Sequence, residues 1–215
     1  MSLIKEIKGG SAVILAQSFN TSIFNHYWLV NKGIIGIDKI QPNSLIVPGM
    51  SQIFTPDFSL QVTQEQLQFA AINNDFEKFE HFLNNSLTKI VETLPEIPYR
   101  ALGINFTCLI SDTEKSISDL SRELFYTPQL KINSFFEDSN SRFGTYLSTN
   151  FLDSRLKLDI KPVTLNDATP QLKKEFIQFA FNFHIDINGN YEMLLKNLRN
   201  WNLYYKEMNL IVNSL

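Results

Sequence analysis

The stretch FSLQVTQEQLQFAAINNDFEKFEHFLNNSLTKIVETLPEIPYRALGINF, residues 58–106, limits the possible folds more than any other part of the chain. Leu60 and Val62 alternate with Gln61 and Thr63, and Leu67, Phe69 and Ala71 alternate with Gln66, Gln68 and Ala70. This is the period-two pattern of paired strands with one buried face. Asn74 followed by Glu77 reads as a capping box, after which Phe76, Phe79, Leu83, Leu87, Ile90 and Leu94 form one stripe at helical spacing. Pro95 and Pro98 end that helix, because proline has no N–H to donate and turns its predecessor away from the helical region. A new strand then starts, with Ile104, Phe106, Cys108 and Ile110 alternating against Asn105 and Thr107. Residues 94–98 therefore read as the boundary between two halves, 1–97 and 98–215, within one joint structural domain.

The flanking segments predict the same order of elements on each side of that boundary. Residues 11–18 read as a strand, and residues 21–32 as a helix carrying Ile23, Tyr27 and Val30 up to the breakers Gly33 and Gly36. Short strands are predicted at 45–47 and 52–55, ahead of the hairpin of the opening stretch. Past the boundary, Asp112 or Thr113 is read as the start of a helix with Ile117, Leu120 and Leu124. Four strands are predicted near 130–136, 143–149, 155–161 and 175–187. Beyond Gly189 one long helix keeps Tyr191, Leu194, Leu198, Trp201, Tyr205, Met208, Val212 and Leu215 in three-four spacing, with Leu195, Leu203 and Ile211 off the main stripe. The predicted class is α+β: two β-α-β(3–4)-α units sharing a curved antiparallel sheet, with helices on one face.

A chain of 215 residues that is 44% hydrophobic can bury a substantial core without staples. Its net charge of −3 offers no excess of positive charge for displacing counterions from a phosphate backbone, which argues against sequence-independent nucleic-acid binding. The single cysteine, Cys108, rules out an intramolecular disulfide and any thiolate-rich metal site, and fits a reducing compartment, the cytoplasm. The apolar run at 12–16 is too short for a signal segment, and no stretch approaches a membrane span, so the chain is expected to be soluble and unprocessed. Abundant Asn, Ile, Lys and Phe point to an AT-rich bacterial or phage genome.

The β-α-β4-α order, twice, resembles the tandem TATA-binding-protein fold, which implies a curved sheet with helices on its convex side. No series of phosphate-contacting basic residues and no intercalating phenylalanine pair matches that family's motif, so its DNA binding does not carry over. The order of a single unit also resembles helix-grip proteins, which hold small ligands between sheet and long helix. In pattern the chain is similar to a sporadically distributed family of uncharacterised bacterial proteins of about this size. The matching stretches are FSLQVTQEQLQF, FEKFEHFLNNSLTKIVETL, RALGINF and YEMLLKNLRNWNLYYKEM, with Arg100 in the place of a recurring arginine. The family's closing His and Phe are replaced here by Tyr204, Tyr205 and Met208. That resemblance implies a fold and no established activity.

No catalytic, cofactor or metal site is indicated. His26, His81 and His184 lie far apart, and no nucleophile elbow, phosphate loop or dinucleotide fingerprint is present. FAFNFHIDIN puts Phe179, Phe181, Phe183, Ile185 and Ile187 on one strand face and Ala180, Asn182, His184, Asp186 and Asn188 on the other. His184 and Asp186 suit an acid/base pair or an ordinary polar sheet face. Cys108 suits a nucleophile or, by its apolar neighbours, an inert packing residue. Arg155, Lys157, Asp159 and Lys161 form a partly basic row that either meets an acidic partner or guards a sheet edge.

The candidate binding face therefore comprises Gln61, Gln66, Gln68, Asn182, His184 and Asp186 with Arg155, Lys157 and Lys161. Leu195, Trp201, Tyr204, Tyr205 and Met208 form a candidate interface helix, which suits either packing on the protein's own sheet or homodimerisation. The expectation is a non-enzymatic, cytoplasmic protein-protein interaction subunit, adaptor or immunity factor of a bacterial multi-protein system, with a protein partner and no cofactor. The other reading is a small-molecule binder or enzyme with a pocket between sheet and long helix.

Overall fold

A computed structural model of the chain describes residues 3–166 and 173–215. Two long strands, β1 (Leu3–Ala16) and β6 (Tyr99–Asp112), lie side by side at its centre, paired antiparallel from Leu3 opposite Asp112 to Ala16 opposite Tyr99. On the outer side of β1 lie β5 (Gln66–Ala71), β4 (Phe58–Thr63), β3 (Met50–Phe54) and β2 (Leu45–Val47), in that order. Outside β6 lie β9 (Lys173–Asp186), β8 (Ser154–Asn166) and β7 (Thr145–Phe151). Among the described residues nine strands make one sheet, and every pair of neighbours in it runs antiparallel. The class is α+β.

Strict alternation decides which face of this sheet is covered. Leu102, Ile104, Phe106, Cys108 and Ile110 on β6, and Ile177, Phe179, Phe181, Phe183 and Ile185 on β9, are buried together with Ala12 and Ile14 of β1. Each such phenylalanine removed from water contributes about 1.5–3 kcal/mol, so the two strands supply much of the drive for collapse. The helices cover this face. Trp201 lies 5.2 Å from Phe106, stacks on Tyr205 at 5.4 Å, and has Phe79 edge-on at 5.5 Å. Tyr204 packs edge-on against Phe183 at 5.2 Å.

The helix after β5 keeps its predicted stripe but not a single helical type. α2 (Phe76–Phe82) runs through a π turn (Leu83–Leu87) into α3 (Thr88–Thr93). The wider turn lets Leu83, Ser86 and Leu87 all face inward, and Ser86 donates to the Ile34 carbonyl at 2.9 Å. Its cap is Asp75, which accepts from the Lys78 N–H at 3.0 Å, and not the predicted Asn74. Leu94 ends the helix ahead of the prolines.

Five further expectations are corrected. Residues 21–32 form a 3-10 turn (Thr21–Ile23) and a short α1 (His26–Asn31); Phe24 and Leu29 point inward while Tyr27 is exposed. Asn25 splits the segment by capping α1 through the Trp28 N–H. The helix α4 (Ile117–Phe125) starts at the cap Ser116, because Asp112 instead accepts from the N–H groups of Glu114 and Lys115 in the preceding turn. Residues predicted as a strand near 130–136 form an exposed 3-10 turn (Lys131–Phe135), so among the described residues three strands follow α4 where four were expected. The final helix breaks at Asn200 into α5 (Tyr191–Arg199) and α6 (Trp201–Asn213). Leu195, expected off the buried stripe, is buried.

Candidate functional site

The face away from the helices carries most of the polar side chains of the alternating strands, with Val13, Leu15 and Leu109 among them. Along the central strands Ser11, Val13, Asn105, Thr107, Asn182 and His184 are half-buried while Ala101, Gly103 and Leu109 are buried, and the β8 residues Arg155, Lys157 and Lys161 are exposed. Register turns the scattered candidates into rows. Gln61 stands opposite Gln68, Gln68 opposite Val13, Val13 opposite Gly103, Gly103 opposite His184, and His184 opposite Arg155. In the next row Ser11 stands opposite Asn105, Asn105 opposite Asn182, and Asn182 opposite Lys157. Gln66 and Asp186 flank the first row through Leu15 and Ala101. Lys161, two residues beyond Asp159, sits towards the far end of β8.

At the centre the side chains are small or amide-bearing. Asn182 donates to Asn105 Oδ1 at 2.6 Å, and Asn105 donates to Ser11 Oγ at 3.4 Å, a hydrogen-bonded line across β9, β6 and β1. Between this line and β5 lies a shallow depression of about 170 Å³, bounded by Gly9, Ser11, Ala70, Asn105 and Thr107. Gly103 beside it is buried, with the Asn182 and Asn105 amides close over the place a Cβ would take. Asn105, Ser11, Gly9 and Gly103 were not among the sequence candidates. Asn105 and Thr107 carried a signal, as the polar half of an otherwise apolar strand.

The flanks differ in charge. Gln61, Gln66 and Gln68 make one side neutral, with Gln66 donating to Gln68 Oε1 at 3.4 Å. On the other side Arg155 donates to Asn150 Oδ1 at 3.0 Å and to the Ser148 carbonyl at 3.3 Å, while Lys161 pairs with Asp159 at 2.7 Å. Lys157 has neither a hydrogen bond nor a carboxylate partner among the described residues. His184 Nε2 is 3.1 Å from Asp186 Oδ1, yet Asp186 is 74% exposed, so nothing encloses the pair for proton transfer.

Cys108 is buried on the opposite face, where desolvation pushes its thiol up to about 11, away from the thiolate a nucleophile needs. The candidate interface helix also faces that way. Leu195, Trp201, Tyr204 and Met208 are buried against the protein's own sheet, and Tyr205 is half-buried between Phe76 and Trp201, so these side chains have little surface left for a second chain. The same aromatic packing fills the middle of the space between sheet and helix, where a ligand pocket was the other reading, and leaves an apolar depression towards β7, β8 and Ile211. Among the described residues no group of three or more His, Cys, Asp or Glu is placed to hold a metal ion, and no helix is long and apolar enough to cross a membrane.

Fold and face together define an α+β protein with a single antiparallel sheet, helices over one face and an amide-rich open face opposite. No protein-family model matches the chain, and no curated protein is significantly similar to it.

Proposed function

We propose that this is a non-enzymatic binding protein whose open sheet face receives another protein, acting as a subunit or adaptor of a multi-protein system in the bacterial cytoplasm. The observation that carries the reading is the pair of rows just described: amides and small residues in register across the sheet, flanked on β8 by basic residues. Amides and hydroxyls of this kind can exchange hydrogen bonds with a partner surface without forcing a buried charge to lose water. Exposed Ile132, Phe135 and Phe136 near the turn after α4 add apolar surface of the sort protein interfaces use.

We further infer that the chain consists of two tandem-type units, 1–97 and 98–215, that meet through β1 and β6 in a curved sheet. Strand order supports this: in each unit the opening strand pairs with the unit's last strand, β1 with β5 and β6 with β9, and the strand after the first helix lies outermost. The function test is co-expression with the products of neighbouring genes, followed by the double variant Gln68→Lys, Asn182→Lys. Association with a neighbour in the wild type, lost in the variant at unchanged melting temperature, is the expected result. A chain that stays alone with every neighbour, or a variant that associates normally, would sink the open-face reading.

A further inference from the structure

The two edges of the sheet are not alike. β2 is three residues long and lies between Pro42 and Pro48, a short edge of the kind that resists pairing with other chains. β7 is seven residues long, its sequence TYLSTNF carries no charge and no proline, and it ends the strand order with one side unpaired. Tyr146 and Leu147 on it are 60% and 52% exposed. Apart from the Ser148 carbonyl, which Arg155 already reaches, an edge of this length offers backbone N–H and C=O groups that only another extended strand can satisfy as a ladder.

The chemistry on each side of β7 describes that strand. On the helix side is an apolar depression of about 360 Å³, lined by Leu147, Thr149, Leu156, Leu158 and Ile211. On the open side Lys157 stands opposite the small Ser148 and has no carboxylate partner among the described residues, while Arg155 leans over β7 to reach only neutral acceptors, Asn150 Oδ1 and the Ser148 carbonyl. Strands pack about 4.8 Å apart, so a strand added to β7 lies about 10 Å from β8. A long basic side chain and a carboxylate can close that gap above a serine. Side chains on an added strand alternate between the two sides, one set meeting the apolar depression and the other the two cations.

We propose that β7 is the docking edge for one extended segment of a partner protein in which apolar residues alternate with Asp or Glu. The inference rests on the reading above that the partner is a protein, and adds where and by what chemistry it attaches. A second copy of this chain fits less well, because a two-fold pairing of β7 about Ser148 would set the two Lys157 side chains in one row, while Asp159, the carboxylate on this face of β8, is already paired with Lys161.

The test uses the full chain and three short labelled peptides: valine alternating with glutamate, valine alternating with lysine, and the glutamate peptide with a central proline. Anisotropy should show the valine–glutamate peptide binding about tenfold or more tighter than the other two, with affinity falling as salt rises. Amides of Thr145–Phe151 should exchange more slowly in its presence. Lys157→Glu, an exposed charge reversal that leaves the core intact, should shift preference towards the lysine peptide. Equal binding of the two charged peptides, no binding of either, or an unchanged preference in Lys157→Glu would overturn the proposal. So would a concentration-dependent dimer in sedimentation that Leu147→Lys abolishes, since the edge would then belong to a second copy. Loss of peptide binding alongside intact partner association would remove the edge proposal alone, whereas intact peptide binding without partner association would remove the open-face reading alone.

Discussion

Cys108 and Trp201 show how single side chains are tied to the covered face. The Cys108 thiol is raised from 9.0 to about 11, by burial first, and the Tyr204 phenol from 10.0 to about 12, by burial and then by the Asp153 carboxylate. Tyr99 shifts upward by burial as well. In each case the folded chain holds its proton to higher pH than the unfolded chain does. The associated stability is fully present below the unfolded values and is lost as pH rises through the folded ones. Thermal midpoints should therefore vary little near neutrality on account of these groups and fall above about pH 9; Cys108→Ala should flatten part of that fall, and an unaltered slope would show that the thiol contributes nothing. Trp201 is buried with its indole N–H lacking a partner among the described residues. Trp201→Ala should cost about 3–5 kcal/mol in urea unfolding through the cavity it leaves. Trp201→Phe should cost much less, because it also removes an unpaired donor whose burial is itself unfavourable by about 1–3 kcal/mol. Equal losses in the two variants would contradict this account.

At the scale of elements, period-two alternation made most strands legible, because one face of each is covered and the other is not. Ile104 to Ile110 and Phe179 to Ile187 could be assigned to faces directly. The shape of the helices was harder to read, since the stripe Tyr191 to Val212 continues across Asn200 and a break that preserves the buried face leaves no trace in spacing. Residues 130–136 misled for the opposite reason: Leu130 and Ile132 alternate as a strand would, yet both are exposed on a turn. The open face was half legible. Polar parity named Gln61, Gln68, Asn182 and His184, but only pairing could show that Gly103 joins Val13 to His184, since register is a property of two strands together. At the edge, a Cβ on Gly144 would collide with the Ile160 carbonyl, so Gly144→Ala should displace the start of β7. Faster amide exchange across Thr145–Phe151, with β1 and β6 unchanged, is the expected signature. Ser116→Ala removes the cap of α4 and should cost about 1 kcal/mol in chemical unfolding; no measurable loss would mean the cap is replaced by solvent.

For the whole molecule, residues 1–97 and 98–215 share the central strand pair as well as the core, since Phe76 meets Tyr205 at 5.1 Å. Urea unfolding should accordingly be a single transition when followed by tryptophan fluorescence and by far-ultraviolet circular dichroism. A fragment ending at Ile97 would leave β1 with an open edge and the α2–α3 stripe without its partners, and should show no dispersed amide spectrum; a folded fragment would mean that the halves are independent domains. The position of β1 also bears on how the protein is made. Of the two central strands β1 leaves the ribosome before β6, and Leu3 must wait for Asp112 to be synthesised before the two can pair. Contacts of such long sequence separation form slowly, and an unpaired apolar strand invites association with other nascent chains meanwhile. Translation speed through the first half and the availability of chaperones should thus govern the yield of native protein more strongly than its final stability does.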